Sequence, residues 1–373
     1  MKITILSTAF PLRGGIAHFV GLLFNELRKE QQTDSITFKR QYPSIFFPGK
    51  SQIESGDTVE KIPTSVLVDS INPLNWIKVG FKLKKESPDL LIYKYWMPFF
   101  APCFGTISRI AKKNKTTKVL VICDNVIPHE SKLGDKALTK YFFGAVDFFV
   151  VLSKKVQQDL LNLMPQVKNK FLSHPIFSVF GNSVEKTAAK KHLRISEEKT
   201  ILFFGFIRDY KGLDNLLEAV ALLKGKINLK LIVAGEFYSN ENKYKILIEE
   251  LGINDTLMLF TDFIPTSEVK YYFSACDAVI LPYKDATQSG IVQIAMNFRK
   301  PVIATNVGGL AEVIKDNKTG FIIEKENPKI MAETIVKFYA ENKEKEFVDN
   351  IENELEKYSW KRFVDGILEL VNS

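Results

Sequence analysis

Two short stretches combine residue types that suit the binding of an anion. In Gly205-Phe206-Ile207-Arg208-Asp209-Tyr210-Lys211-Gly212, an arginine and a lysine stand between two glycines. Arginine offers a planar fork to phosphate oxygens, and lysine a movable point charge. In Thr287-Gln288-Ser289-Gly290, small polar residues precede an apolar pattern of helical spacing. The first N–H groups of a helix have no intrahelical acceptor and lie at its positive end, so this segment can hold an anion through its backbone. If they converge, the two stretches make a cationic, amide-lined site for a diphosphate. Placed against a leaving diphosphate, such donors stabilise the charge that grows as a bond to it breaks, each worth roughly 10²–10³ in turnover. An ordinary helix cap and solvated surface charges fit the same residues.

The elements around these stretches would bring them together. Ala278 to Leu281 reads as a strand, a helix follows Gly290, and Pro301 to Thr305 reads as a second strand running into Gly308-Gly309. Carboxyl ends of parallel strands are the edge where ligands bind. The same alternation runs through the chain. Lys2 to Ser7 is a strand, followed by the loop ending Arg13-Gly14-Gly15 and a helix from Ile16 with Phe19, Val20, Leu23 and Leu27 on one face. Strands at Leu90 to Tyr95, Lys118 to Cys123, Asp147 to Leu152 and Asn169 to Ser173 continue it, with a helix from Pro98 toward Lys113. Phe177 to Lys191 reads as a connector. A second series has strands at Thr200 to Phe204, Leu229 to Ala234, Leu257 to Phe260 and Gly320 to Ile323, and closes in helices with apolar Trp360, Phe363, Ile367 and Leu370. Strands separated by helix-length segments predict parallel α/β sheets. The first turn lacks the G-x-G-x-x-G spacing of dinucleotide folds, which weighs against a nicotinamide enzyme.

Length and composition set further bounds. A chain of 373 residues suits two domains. Apolar residues make up 46% and no uncharged apolar run is long enough to span a bilayer. The amino terminus reads directly as a strand rather than a secretory signal. Cys103, Cys123 and Cys276 lie far apart in apolar sequence, which predicts buried thiols and a reducing compartment. Of the net charge of +8, residues 1–185 carry +10 and the remainder −2. The basic half should meet something anionic. Zinc spacings and RNA-binding signatures are absent, which disfavours nucleic acid and leaves an anionic membrane surface or a phosphate-bearing substrate. The aromatic run Trp96 to Phe104, followed by Lys112, Lys113, Lys115 and Lys118, is either core or an apolar wedge resting on a membrane.

Taken together, P-L-R-G-G-I-A-H-F from Pro11, C-D-N-V-I-P-H-E from Cys123, F-F-G-F-I-R-D-Y-K-G-L-D-N-L-L-E-A from Phe203, V-A-G-E from Val233 and K-P-V-I-A-T-N-V-G-G-L-A-E-V-I from Lys300 resemble the family 4 retaining glycosyltransferases. The resemblance covers nearly the whole chain. It implies the GT-B fold, with two Rossmann-like domains whose parallel sheets face a central cleft. Residues 1–178 would form the acceptor-side domain, with a terminal helix at 358–373 crossing back to it, and 179–357 the nucleotide-sugar domain.

By that resemblance Arg208 and Lys211 match the diphosphate-binding pair, Gly14 and Gly15 the first-domain glycine loop, and Gly308, Gly309 and Leu310 the turn beside the nucleotide. Gly205 and Glu236 belong to the donor side. The family's E-x7-E motif is missing, since Ala286 and Ile294 stand at its two positions. Asp285 and Gln293 share the spacing one residue earlier, and Thr287, Gln288, Ser289 and Gly290 would bind the donor through amides and hydroxyls. Asp124 stands where many relatives have a histidine near the transferred sugar. Trp96 and His129 are the expected sugar or acceptor contacts. Retention by front-side attack needs no protein nucleophile, and the absence of any D-x-D favours a metal-independent enzyme without a cofactor.

The resulting expectation is a cytoplasmic glycosyltransferase, peripheral on the inner face of a membrane. It would move a sugar from a UDP-sugar or GDP-sugar to a glycan or lipid-linked acceptor in surface polysaccharide or glycolipid assembly. A nucleotide-sugar epimerase or phosphorylase of the same architecture, and a non-catalytic binding subunit, are the alternatives.

Overall fold

The computed structural model describes residues 1–43, 61–127, 133–196 and 199–373. It divides into two units, the first Met1–Pro175 with Ser359–Ser373 and the second Ile176–Tyr358.

The first unit is built on β1 (Lys2–Leu6), α1 (Gly15–Leu27), β2 (Gln32–Arg40), β3 (Ser65–Asp69), α2 (Pro73–Glu86), β4 (Leu90–Tyr95), α3 (Ala101–Ala111), β5 (Lys118–Cys123), α4 (Asp135–Phe143), β6 (Phe148–Val151), α5 (Lys154–Leu163) and β7 (Asn169–Phe171). Its seven strands pair in the order β3-β2-β1-β4-β5-β6-β7, all parallel. Every residue of β4 is buried, as a central strand covered on both faces by helices requires. Asn72 caps α2 by accepting from the Asn75 N–H, with Pro73 in the first turn, and Ser153 caps α5 in the same way.

The second unit comprises α6 (Lys186–His192), β8 (Lys199–Phe204), α7 (Leu213–Leu223), β9 (Leu229–Ala234), α8 (Glu241–Leu251), β10 (Leu257–Phe260), α9 (Val269–Ala275), β11 (Ala278–Leu281), α10 (Gly290–Asn297), β12 (Val302–Thr305), α11 (Leu310–Val313), β13 (Gly320–Ile323), α12 (Pro328–Ala340) and α13 (Lys343–Glu354). Its strands run β10-β9-β8-β11-β12-β13, again all parallel. Strand order reverses between β1 and β4 in one sheet and between β8 and β11 in the other. Connections leave in opposite directions there, and the carboxyl ends open a crevice.

One sequence expectation changes and one open alternative is decided. The segment read as a connector contains α6, which packs on α9 inside the second unit. The aromatic run is core rather than an exposed wedge. Pro98–Phe100 forms a 3-10 turn, and Phe100 and Phe104 are fully buried against Phe38, at ring separations of 5.3 and 6.1 Å. The reason is topological: α3 connects β4 to β5, so its apolar face must lie on the sheet.

The terminal helix α14 (Trp360–Asn372) is capped by Ser359 and belongs to the first unit, where it packs on α1. Trp360 and Phe363 meet Phe19 edge-to-face at 5.0 and 5.7 Å. Phe363→Ala is expected to destabilise the first unit by about 3–4 kcal/mol, read by urea denaturation. A loss below roughly 1 kcal/mol would show that α14 is not part of that core.

Candidate functional site

In the second unit the two anion-suited stretches meet at the switch point. β8 ends in Gly205, whose φ of +98° only glycine adopts comfortably, and a β-carbon there would come within 3.2 Å of both Lys211 Nζ and Ile291 Cδ1. Lys211 therefore lies over the backbone of Gly205, beside the first turn of α10. The chain then turns through a 3-10 segment, Asp209–Lys211, into Gly212, where a β-carbon would strike the Pro282 carbonyl oxygen at 2.0 Å. The Lys284 N–H donates to the Tyr210 carbonyl at 2.7 Å and ties the loop after β11 to the same turn.

That loop is held from both sides. Tyr283 is buried, lies 5.6 Å below Lys211 Nζ and reaches Ser289 Oγ at 3.2 Å. Ser289 caps α10 by accepting from the Ile291 N–H. Gly308 sits at φ +53°, where a β-carbon would lie 1.8 Å from the Ala286 carbonyl oxygen. The Gly309 N–H donates to the Thr287 carbonyl at 2.9 Å. Gly205, Lys211, Thr287, Ser289, Gly290, Gly308 and Gly309 thus share one small region of the sheet edge. Glu236 follows β9 at the same edge and is buried, and its carbonyl accepts from the Ile207 N–H.

Lys211 is the electrostatic centre of this region. Among the described residues its ammonium has no carboxylate partner and no hydrogen bond, yet only 9% of the residue is exposed. Burial, and then the neighbouring Arg208 charge, push its pKa down to about 8. Arg208 is exposed, with its guanidinium 5.2 Å from the centre of the Tyr238 ring and no carboxylate partner among the described residues. Two like charges without counter-ions, beside a helix start, form a receptacle for an anion. Gln293 is buried in α10 and its Oε1 has no hydrogen-bond partner among the described residues, while Asp285 is exposed. The positions of the missing glutamates, Ala286 and Ile294, are buried apolar residues.

In the first unit Gly14 caps α1 at φ +107° and Gly15 is its first residue. A β-carbon on either would meet nothing within 4 Å. Packing does not demand Gly15, so its absent side chain leaves the helix start open to an approaching group. Asp124, directly after β5, accepts from Lys94 Nζ at 2.5 Å. Lys94 is buried within β4, where burial lowers its pKa and Asp124 opposes that shift. Its ammonium also lies 3.8 Å from the centre of the Phe19 ring. Burial first, and then Lys94, hold the nearby His174 neutral, with a pKa of about 3. Trp96 is half-buried; its indole N–H donates to Tyr42 at 3.1 Å and its ring packs on Phe100. His129 lies outside the described residues.

Sequence reasoning passed over Tyr283 and Lys94. Nothing marks Tyr283 apart from any aromatic after a strand, but a lysine inside the apolar run Leu90 to Tyr95 was a legible signal of a buried charge. Among the described residues no three His, Cys, Asp or Glu side chains converge to hold a metal. No helix among them is long and apolar enough to cross a membrane.

Residues 184–354 match the family model of glycosyl transferases group 1. An uncharacterized glycosyltransferase of Methanocaldococcus jannaschii is 29% identical over 390 residues, covering 98% of this chain and 97% of that protein. A second from the same organism is 27% identical over 221 residues, covering 57% of this chain and 56% of that protein. In fold, the Anabaena protein HepE, solved with UDP and glucose, superposes with a TM-score of 0.77 over 100% of both chains at 16% identity. The two parallel-sheet Rossmann-like units are those of the GT-B fold.

The Lys94–Asp124 pair predicts its own test. Asp124→Asn should destabilise the first unit by about 3 kcal/mol, because it leaves a buried ammonium without its counter-charge. The double variant Lys94→Met/Asp124→Asn should regain most of that in thermal unfolding. Equal losses in the two would show that the pair is not coupled.

Proposed function

We propose that this protein is a retaining glycosyltransferase of the family 4 type. It would transfer a sugar from a nucleoside-diphosphate sugar, UDP or GDP, to a glycan or lipid-linked acceptor. The unpaired, buried ammonium of Lys211 carries the reading: a site that has desolvated a cation without a carboxylate is built for an anion that arrives with the substrate. Structural likeness to a protein solved with UDP and glucose supports the same donor class.

In this mechanism Arg208 and Lys211 grip the donor diphosphate while the positive end of α10 at Gly290 faces it. The turn at Gly308 and Gly309 and the Oε1 of Gln293, which has no hydrogen-bond partner among the described residues, serve the nucleoside. As the bond from the anomeric carbon to the diphosphate oxygen breaks, negative charge grows on that oxygen, and the two cations stabilise it. The acceptor hydroxyl attacks from the face the diphosphate leaves and passes its proton to a phosphate oxygen, so no protein nucleophile or metal is required. Asp124 and the open start of α1 at Gly15 are assigned to the sugar and its acceptor. Such an enzyme would work in the cytoplasm, in surface polysaccharide or glycolipid assembly.

A thermal-shift screen against UDP, GDP, ADP, CMP and dTDP, with and without magnesium, tests the donor class, since a ligand that binds only the folded state raises its stability. One nucleotide should stabilise the wild type without magnesium and fail to stabilise Arg208→Ala. Absence of any shift would overturn the proposal, and binding without sugar transfer would leave a binding subunit. Arg208→Ala and Lys211→Ala should each lower turnover by roughly 10²–10³ while remaining folded.

The depressed pKa of Lys211 gives a second test. Its ammonium is half charged at about pH 8 and approaches full charge only well below it, whereas a bound diphosphate holds the proton on. Nucleotide affinity measured calorimetrically should change little well below pH 8 and fall above it by up to about tenfold per unit. The fall should be absent in Lys211→Met. The same fall in that variant would remove Lys211 from the site.

A further inference from the structure

The loops that leave β8 and β9 stay paired after the strands end. The Gly205 N–H donates to the Ala234 carbonyl, the Ile207 N–H to that of Glu236 and the Tyr238 N–H to that of Ile207, each at 2.8 Å. This short ladder sets Phe206 and Tyr238 side by side, both half-buried, with their rings stacked at 4.5 Å and 18°. Arg208 follows with extended backbone, and its carbonyl accepts from the Lys211 N–H at 2.9 Å. The Arg208 guanidinium lies over the Tyr238 ring and, among the described residues, donates no hydrogen bond. The adjoining carboxylate is turned elsewhere: Asp209 Oδ1 accepts from the Tyr244 hydroxyl at 3.2 Å and from Lys243 Nζ at 3.4 Å.

We propose that Tyr238 is a positioning residue for Arg208: its ring seats the guanidinium at the anion site and leaves the N–H groups of that guanidinium to the ligand. A carboxylate in this place would neutralise the arginine and occupy part of its fork. The face of an aromatic ring attracts the same charge and takes none of the N–H donors. An unseated arginine on a surface loop samples many rotamers, and a ligand must then order it at a cost to affinity. Phe206 completes the seat, because a ring stacked on a second ring and tied through its own N–H to Ile207 cannot follow the guanidinium into solvent. The seat also keeps Arg208 close enough for its charge to act on Lys211, whose proton it helps to displace. The seat is a property of the free protein; that its ligand is a nucleoside diphosphate rests on the proposed function.

Competitive acylation of the full chain with acetic anhydride across a pH series, read at Lys211 by peptide mass spectrometry, tests the seat without any nucleotide. The wild-type midpoint should be about 8 and that of Arg208→Ala higher. Tyr238→Leu should move the midpoint up toward that of Arg208→Ala, since the freed guanidinium swings away from Lys211. Tyr238→Phe should not move it, and Tyr238→Leu added to Arg208→Ala should move it no further. Phe206→Leu loosens the stack but keeps the tyrosine, and should give a smaller upward shift even if Tyr238→Leu fails to fold. In calorimetry with UDP and with GDP, Tyr238→Leu should weaken binding roughly two- to tenfold, and Tyr238→Phe should match the wild type. An unmoved Lys211 midpoint in Tyr238→Leu and Phe206→Leu would overturn the proposal; if binding weakened all the same, the ring would be a ligand contact. So would an equal shift with Arg208 absent, which would place Tyr238 on Lys211 directly, or an equal shift in Tyr238→Phe. Midpoints as expected with no wild-type binding of either nucleotide would uphold the seat and overturn the donor reading.

Discussion

Every strand pair in both sheets is parallel, and that constraint organises each unit. A parallel strand must be returned to its start by a crossover, so helices cover both sheet faces and all carboxyl ends gather at one edge. Side chains within the sheet are then committed to packing, and the loops after the strands are left for chemistry. At the edge of the second unit, glycines make close backbone approaches possible. Gly212 and Gly308 pass within a β-carbon's reach of the Pro282 and Ala286 carbonyls, and this locks the loop after β11 to its neighbours on either side.

Two buried lysines show how differently the units use a desolvated charge. Lys94 is answered from within the chain by Asp124 and the face of Phe19. Lys211 has the Tyr283 ring 5.6 Å away but no carboxylate among the described residues, and its pKa falls to about 8 because burial and Arg208 both oppose its charge. A fold tolerates an unpaired buried ammonium when the missing counter-charge arrives with a ligand, since binding then removes the penalty that folding incurred. Under the proposed function the first lysine is a structural device and the second a binding one.

The charge asymmetry between the halves has a related logic. The second unit is slightly acidic overall, and its cationic pair, Arg208 and Lys211, is local. The first unit carries its excess as exposed lysines, several of them on α2 around apolar residues left exposed among the described residues. The aromatic residues that looked available for such a surface, Phe100 and Phe104, are consumed by the sheet.

The two series of βα units, the two glycine-flanked turns and the cationic pair were legible because they are local. Strand and helix periodicity, helix capping by Ser289 and the chemistry of arginine and lysine depend on neighbours in sequence. Strand order was not legible, and with it went everything that depends on which loops become adjacent. Hydrogen bonding between sequence-distant strands decided that Tyr283 lies beneath Lys211, that Gly308 docks on Ala286 and that Asp124 meets Lys94. Burial was equally out of reach. A run such as Trp96 to Phe104 reads the same whether it faces a sheet or solvent. Sequence by itself determined the elements and the kinds of chemistry available to the chain; only the tertiary structure decided which charges would be desolvated and left unpaired, because desolvation is a property of the packed surroundings.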